Sequence, residues 1–148
     1  MLFESYWAKE VTFNYGRVDQ FRVDYMKFKP VNQSASGIEK GVFTTYEIKS
    51  CLDDFRSING HNHIAEKNYY VMPLELYRKV AAEIKSGIGV YVPVPYGRKT
   101  YLKDTTEEII PFDAERIEWE LYCVKKSRML ERNISNQVAL FNMFRSGK

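Results

Sequence analysis

A chain of 148 residues with 45% apolar and 28% charged side chains is the right size for one domain with a real hydrophobic core. Aromatics at 15% exclude a disordered chain, and nowhere do about 20 apolar residues run together as a membrane helix requires. A net charge of +3 permits a nucleic-acid partner without demanding one.

The N-terminus, Met1-Leu2-Phe3-Glu4-Ser5-Tyr6-Trp7, lacks a basic region followed by an apolar run and does not read as a signal peptide. Leu2 to Lys9 is compatible with a short helix. Val11 to Tyr15 reads as a strand, and Arg22 to Phe28 alternates in strand fashion. Pro30 to Gly41 is small, polar and bounded by Pro and Gly, hence a loop. Val42 to Ile48 is β-branched and aromatic, hence the next strand. Ser50 then opens a short helix through Arg56, with Asp53 placed as in a capping box. Asn59-Gly60 signals a turn. Asn68 to Met72 is a strand stopped by Pro73. Leu74 to Lys85 is a helix with Leu76, Val80 and Ile84 on one face, ended by Gly87. Ile88 to Val94 is apolar enough to be a central strand. Gly97 to Leu102 would extend the sheet. Ala114 to Arg132, with Ile117, Leu121 and Val124 at helical spacing, is expected to be a helix, as is Ile134 to Phe144.

This order predicts an α/β (α+β) fold with a central mixed sheet of four to five strands flanked by helices. One domain spans 1–148, with a core over about 1–94 and a mostly helical extension from about 95. Cys51 and Cys123 show neither metal spacing nor a disulfide framework, so a reducing, cytoplasmic setting is expected.

Chemistry concentrates at Asp24, Glu47 and Lys49. Side chains two apart on a strand share a face, so Glu47 and Lys49 project together, roughly 6–7 Å apart. If the two strands pair around the 30–41 loop, Asp24 lies beside Glu47. Two carboxylates and the Ile48 carbonyl would suit Mg²⁺, which prefers oxygen ligands and keeps several waters. Lys49 would orient or deprotonate a water, or stabilise a pentacovalent phosphate. The same residues also describe a surface strand with a solvated Glu and Lys.

The match extends beyond this pattern. Arg22-Val23-Asp24 is followed by Tyr46-Glu47-Ile48-Lys49-Ser50, then Cys51-Leu52-Asp53-Asp54-Phe55, Asn68-Tyr69-Tyr70-Val71-Met72-Pro73 and Gly87-Ile88-Gly89-Val90-Tyr91-Val92. The series resembles the PD-(D/E)XK nuclease superfamily, and within it the MmcB-like DNA-repair group and related small nucleases of bacterial and phage genomes. In those proteins the Glu-x-Lys strand leads into a helix with an Asp-Phe pair, then a strand ending in Pro and a Gly-to-apolar strand. The resemblance covers about residues 1 to 94 and departs from the superfamily motif in having Val23, not Pro, before Asp24. It implies a restriction-endonuclease-like core and a nuclease using Mg²⁺, or Mn²⁺ in its place, with Asp24, Glu47 and Lys49 as catalytic residues. It also implies an acid from the first helix at the metal, to which Glu4 corresponds; a solvated Glu4 is the alternative. Asp19 is a rival for Asp24 but sits where a turn favours Asp.

His61 and His63, in the loop after the catalytic strand and helix, are candidate phosphodiester contacts or plain polar residues. Lys67 is a candidate for the active-site side, since similar nucleases carry a basic or amide residue in this region. Asp53 and Asp54 read as helix-start residues. Arg98, Lys99 and Lys103, and Lys125, Lys126, Arg128 and Arg132, are candidate phosphate contacts, and Tyr96 and Tyr101 candidate stacking residues. The expected partner is DNA. The residues do not separate DNA from RNA, and a homodimer would suit a cut in both strands of a duplex. An inactive DNA-binding or adaptor module on the same fold is the alternative function.

Overall fold

A computed structural model describes residues 4–96 and 118–146. Its elements are β1 (Tyr6–Phe13), β2 (Phe21–Lys29), α1 (Ala35–Glu39), β3 (Val42–Ile48), α2 (Leu52–Arg56), β4 (Lys67–Val71), α3 (Leu74–Val80) running into a 3-10 turn at Ala81–Glu83, β5 (Gly89–Pro95), β6 (Trp119–Lys125) and α4 (Asn136–Arg145). Among the described residues the strands form one six-stranded sheet in sequence order. The first three strands are an antiparallel meander. From β3 to β5 neighbours run parallel, joined by crossovers that carry α2 and α3, as parallel pairs require. β6 returns antiparallel against β5. No helix among the described residues is long and apolar enough to cross a membrane.

The described helices α2, α3 and α4 all lie against one face. Phe55, Leu74, Leu76 and Val80 pack on Tyr70, Met72, Val90 and Val92. Ala139 and Met143 of α4 pack on Ala8, Val11, Phe28 and Phe43. Between these clusters Asn68 is fully buried and hydrogen-bonded through both side-chain atoms. Its side chain accepts from Thr45 Oγ1 at 2.6 Å and from Ala65 N at 3.1 Å, and donates to Ala65 O at 2.8 Å. Its backbone N–H donates to Ser127 Oγ, which ties β4 to the segment after β6.

Two expected helices are strands. Of the first, Leu2 to Lys9, residues 2–3 lie outside the described residues and Tyr6 to Lys9 are the start of β1, because Tyr6 and Trp7 favour a pleated surface and find a partner in β2. The second, Ala114 to Arg132, holds β6. Leu121 is 59% exposed, so its helical spacing with Val124 is not a buried stripe. An unpaired β5 would leave a buried row of backbone groups without partners, and Trp119–Lys125 fills that edge. The C-terminal part is therefore sheet as well as helix, and the sheet has six strands among the described residues rather than four or five. The expected loop at 30–41 contains α1, capped by Ser34 Oγ accepting from Gly37 N. Residues 97–102 lie outside the described residues.

β1 and β2 break their alternation together. Buried positions are three apart at Ala8 and Val11 on one strand and at Val23 and Met26 on the other. The pairing register is unchanged across this step, and Glu10 takes a left-handed φ of 52°. Glu10 and Asp24, opposite each other by register, sit at the point where both strands change face.

Candidate active site

The β2–β3 ladder runs from Lys29–Val42 to Tyr25–Tyr46 and stops one residue short of Asp24. There the Asp24 carboxylate replaces a backbone acceptor, taking the Ile48 N–H at 2.8 Å. Lys49 N–H, on the other edge of the same strand, donates to Val71 O at 3.0 Å. Strand backbone groups alternate edges residue by residue, so the Ile48 carbonyl is directed to the same edge as its N–H, toward Asp24.

Glu47 and Lys49 point to the helix-covered face and are 1% and 3% exposed. Burial raises the Glu47 carboxyl to about 7, and the Asp24 charge adds to that; the Asn62 amide and Lys49 pull the other way. Its Oε1 is buried with no hydrogen-bond partner among the described residues. A buried carboxylate oxygen normally has a donor or a cation.

Lys49 is held by α2 and the loop after it. Its Nζ donates to Asn59 O at 2.7 Å and Asp54 O at 3.3 Å, with an Asp54 carboxylate oxygen 3.9 Å away. Asp54 also accepts from Ser50 N at 3.0 Å, so it braces the start of α2 and the amine together. Gly60 closes over the pair at φ 72°; a Cβ there would lie 2.5 Å from Lys49 Nζ and 3.5 Å from Glu47 Oε2. The loop is anchored from below by Tyr70, the register partner of Glu47. His61 Nδ1 and His63 Nε2 both hydrogen-bond to the Tyr70 hydroxyl, and His61 Nε2 donates to Ser57 O at 2.9 Å. Burial first, then the neighbouring charges of His61, Lys85 and Lys49, hold His63 down at about 4.

Asp24, Glu47, Ile48, Lys49, Asp54 and Gly60 thus line one cleft of about 580 Å³. The remaining expected residues fall elsewhere. Glu4 is exposed and on no helix; the nearby Tyr6 pairs with Phe28, four residues up β2 from Asp24, so Glu4 lies toward the far end of the strand. Lys67 pairs with Thr44 and so lies on the face opposite Glu47. His61 and His63 are half-buried and engaged with Tyr70 rather than offered to a phosphate. Asp19 serves the β1–β2 turn, bonding Asn14 and pairing with Arg17. Arg132 pairs with Glu66 at 2.8 Å. Arg98 and Lys99 lie outside the described residues.

Among those residues no group of three or more His, Cys, Asp or Glu side chains is arranged to hold a metal. Of the three carboxylates that line the cleft, Asp54 is engaged with Ser50 N–H and Lys49; Asp24, Glu47 and the Ile48 carbonyl are oxygen donors of the kind a hard cation that retains its waters would take. No protein-family model matches the chain, nor does any curated protein or solved structure.

Proposed function

We propose that the protein hydrolyses phosphodiester bonds in DNA as a metal-dependent nuclease of the restriction-endonuclease-like kind, in a repair or structure-specific role. The observation that carries this reading is the buried Glu47 Oε1, without a hydrogen-bond partner among the described residues, in a carboxyl that feels the Asp24 charge and shares an open cleft with a buried lysine. Further support is the order of elements: the Glu47–Lys49 strand leads into α2 with Asp54-Phe55, then a strand ending before Pro73, then β5 after Gly87.

Asp24, Glu47 and the Ile48 carbonyl would hold Mg²⁺ or Mn²⁺. Such an ion, when bound, acidifies a water and offsets charge on a phosphoryl oxygen. Asp24 also fixes the strand end through the Ile48 N–H. Lys49, oriented by Asn59 and Asp54, presents its amine to the attacking water or the phosphate.

The test is cleavage of plasmid, single-stranded and junction DNA, with an RNA arm, in Mg²⁺ or Mn²⁺. Asp24→Asn and Lys49→Ala are expected to lose cleavage by at least about a hundredfold while keeping the wild-type circular dichroism spectrum. Undiminished cutting by both folded variants, or no cutting by the wild type on any substrate, would overturn the reading.

A further inference from the structure

The face of the sheet turned away from Glu47 carries a second chemistry. No described helix packs on it. Four aromatic rings cross it from β1 to β5. Trp7 stacks on Tyr46 with centroids 5.5 Å apart, Tyr46 on Tyr69 at 5.7 Å, and Tyr69 meets Tyr91 at 4.8 Å. The interior rings are shielded by their neighbours, but Trp7 is 59% exposed at the end of the row and Tyr25, in register with Tyr46, is 41% exposed.

Lysines surround the exposed end. Lys27 pairs with Trp7 and places Nζ 5.5 Å from its ring centre. Lys9, Lys29 and Lys67 share that face by register. None of the four makes an ion pair among the described residues. The strand segments that build this end (7–9, 25–29, 42–46 and 67–69) contain no Asp or Glu. Burial, then the neighbouring charges of Lys67 and Lys29, lower the Lys27 amine from its ordinary value.

A cluster of cations around a flat π surface matches a ligand with regularly spaced anions and exposed aromatic faces. A duplex hides its base faces, whereas a single strand presents them. We propose that this face binds single-stranded nucleic acid, with bases stacking on Trp7 and Tyr25 and phosphates meeting Lys27 and Lys67. The surface lies across the sheet from the cleft and does not depend on the nuclease reading.

The experiment is equilibrium binding of fluorescent oligo-dT and oligo-U of about 12 nucleotides, in EDTA so that no metal-dependent cutting enters, with duplex DNA and inorganic polyphosphate as competitors. At least one oligonucleotide is expected to bind with strong salt dependence and to quench Trp7 emission in a Trp119→Phe background. Trp7→Ala and the Lys27→Glu/Lys67→Glu pair should each weaken binding about tenfold or more. The oligo-dT and oligo-U arms decide between DNA and RNA. No binding, or equal competition by polyphosphate, would overturn the proposal. So would wild-type affinity in a folded Trp7→Ala variant; if that variant does not fold, the lysine pair and the quench decide.

Discussion

Ionising a carboxyl that is 1% exposed beside a second carboxylate costs free energy that folding must supply. Glu47 stands at about 7 in the fold against 4.5 when free. Below about pH 4.5 both states carry the proton and its full contribution to stability is present; as pH rises through about 7 that contribution is lost, in total about 3 kcal/mol. Without divalent ions, the wild type is therefore expected to lose stability from pH 5 to 8 relative to Glu47→Gln, measured by urea denaturation across that range. At pH 8, Mg²⁺ or Mn²⁺ should raise the melting temperature of the wild type but not of Glu47→Gln. Gly60→Ala puts a side chain in a left-handed position and against Lys49 Nζ; a cost of about 1–2 kcal/mol is expected from strain alone, with cleavage reduced more than stability explains. The i, i+2 spacing made Glu47 and Lys49 legible in the sequence, and Asp24 followed once a hairpin was assumed. Gly60 was legible only as a turn glycine, since its approach to Lys49 is a tertiary contact. The sequence marks Asp54 as a helix-start residue, and its contact with the amine depends on where α2 sits against β3.

β3 and β4 are joined by a polar hinge that an apolar residue cannot replace. Asn68→Leu removes the partners of Thr45 Oγ1 and of Ala65 N and O in the buried interior. Unsatisfied buried groups cost about 1–3 kcal/mol each, so a loss of at least about 3 kcal/mol is expected in chemical denaturation. Element identity was most legible where local preference and tertiary demand agree. β3, bounded by a loop and by the helix signals at Ser50, has the expected limits. β6 was misread because its apolar spacing fits a helix, and the deciding influence, the open edge of β5, is distant in sequence. In β1, Val11 to Phe13 lie in the expected strand, whereas Tyr6 to Lys9 depart from the expected helix because their strand character is realised by pairing with β2.

The whole molecule is closed by its last quarter. β6 covers the β5 edge, Ser127 bonds Asn68 and Gly87, Arg132 pairs with Glu66, and α4 caps the cluster over β1 and β2. A chain ending after Pro95 is therefore expected to lose cooperative unfolding and to bind a hydrophobic dye, checked by thermal melting followed by circular dichroism. A retained sharp transition would show that residues 4–95 are a self-sufficient core.

The joint step at Glu10 and Asp24 makes the first hairpin a ribbon with two phases, in and out exchanged across a boundary that both strands share. Deleting Glu10 alone would leave Ala8, Val11 and Phe13 in regular alternation while β2 kept its step between Val23 and Met26, so the two strands could no longer hold one register along their whole length. Removing or adding a residue in the 14–20 turn leaves both frames intact. The location of the Asp24 carboxylate is thereby written into the backbone, and it should survive conservative exchanges among the apolar residues around it.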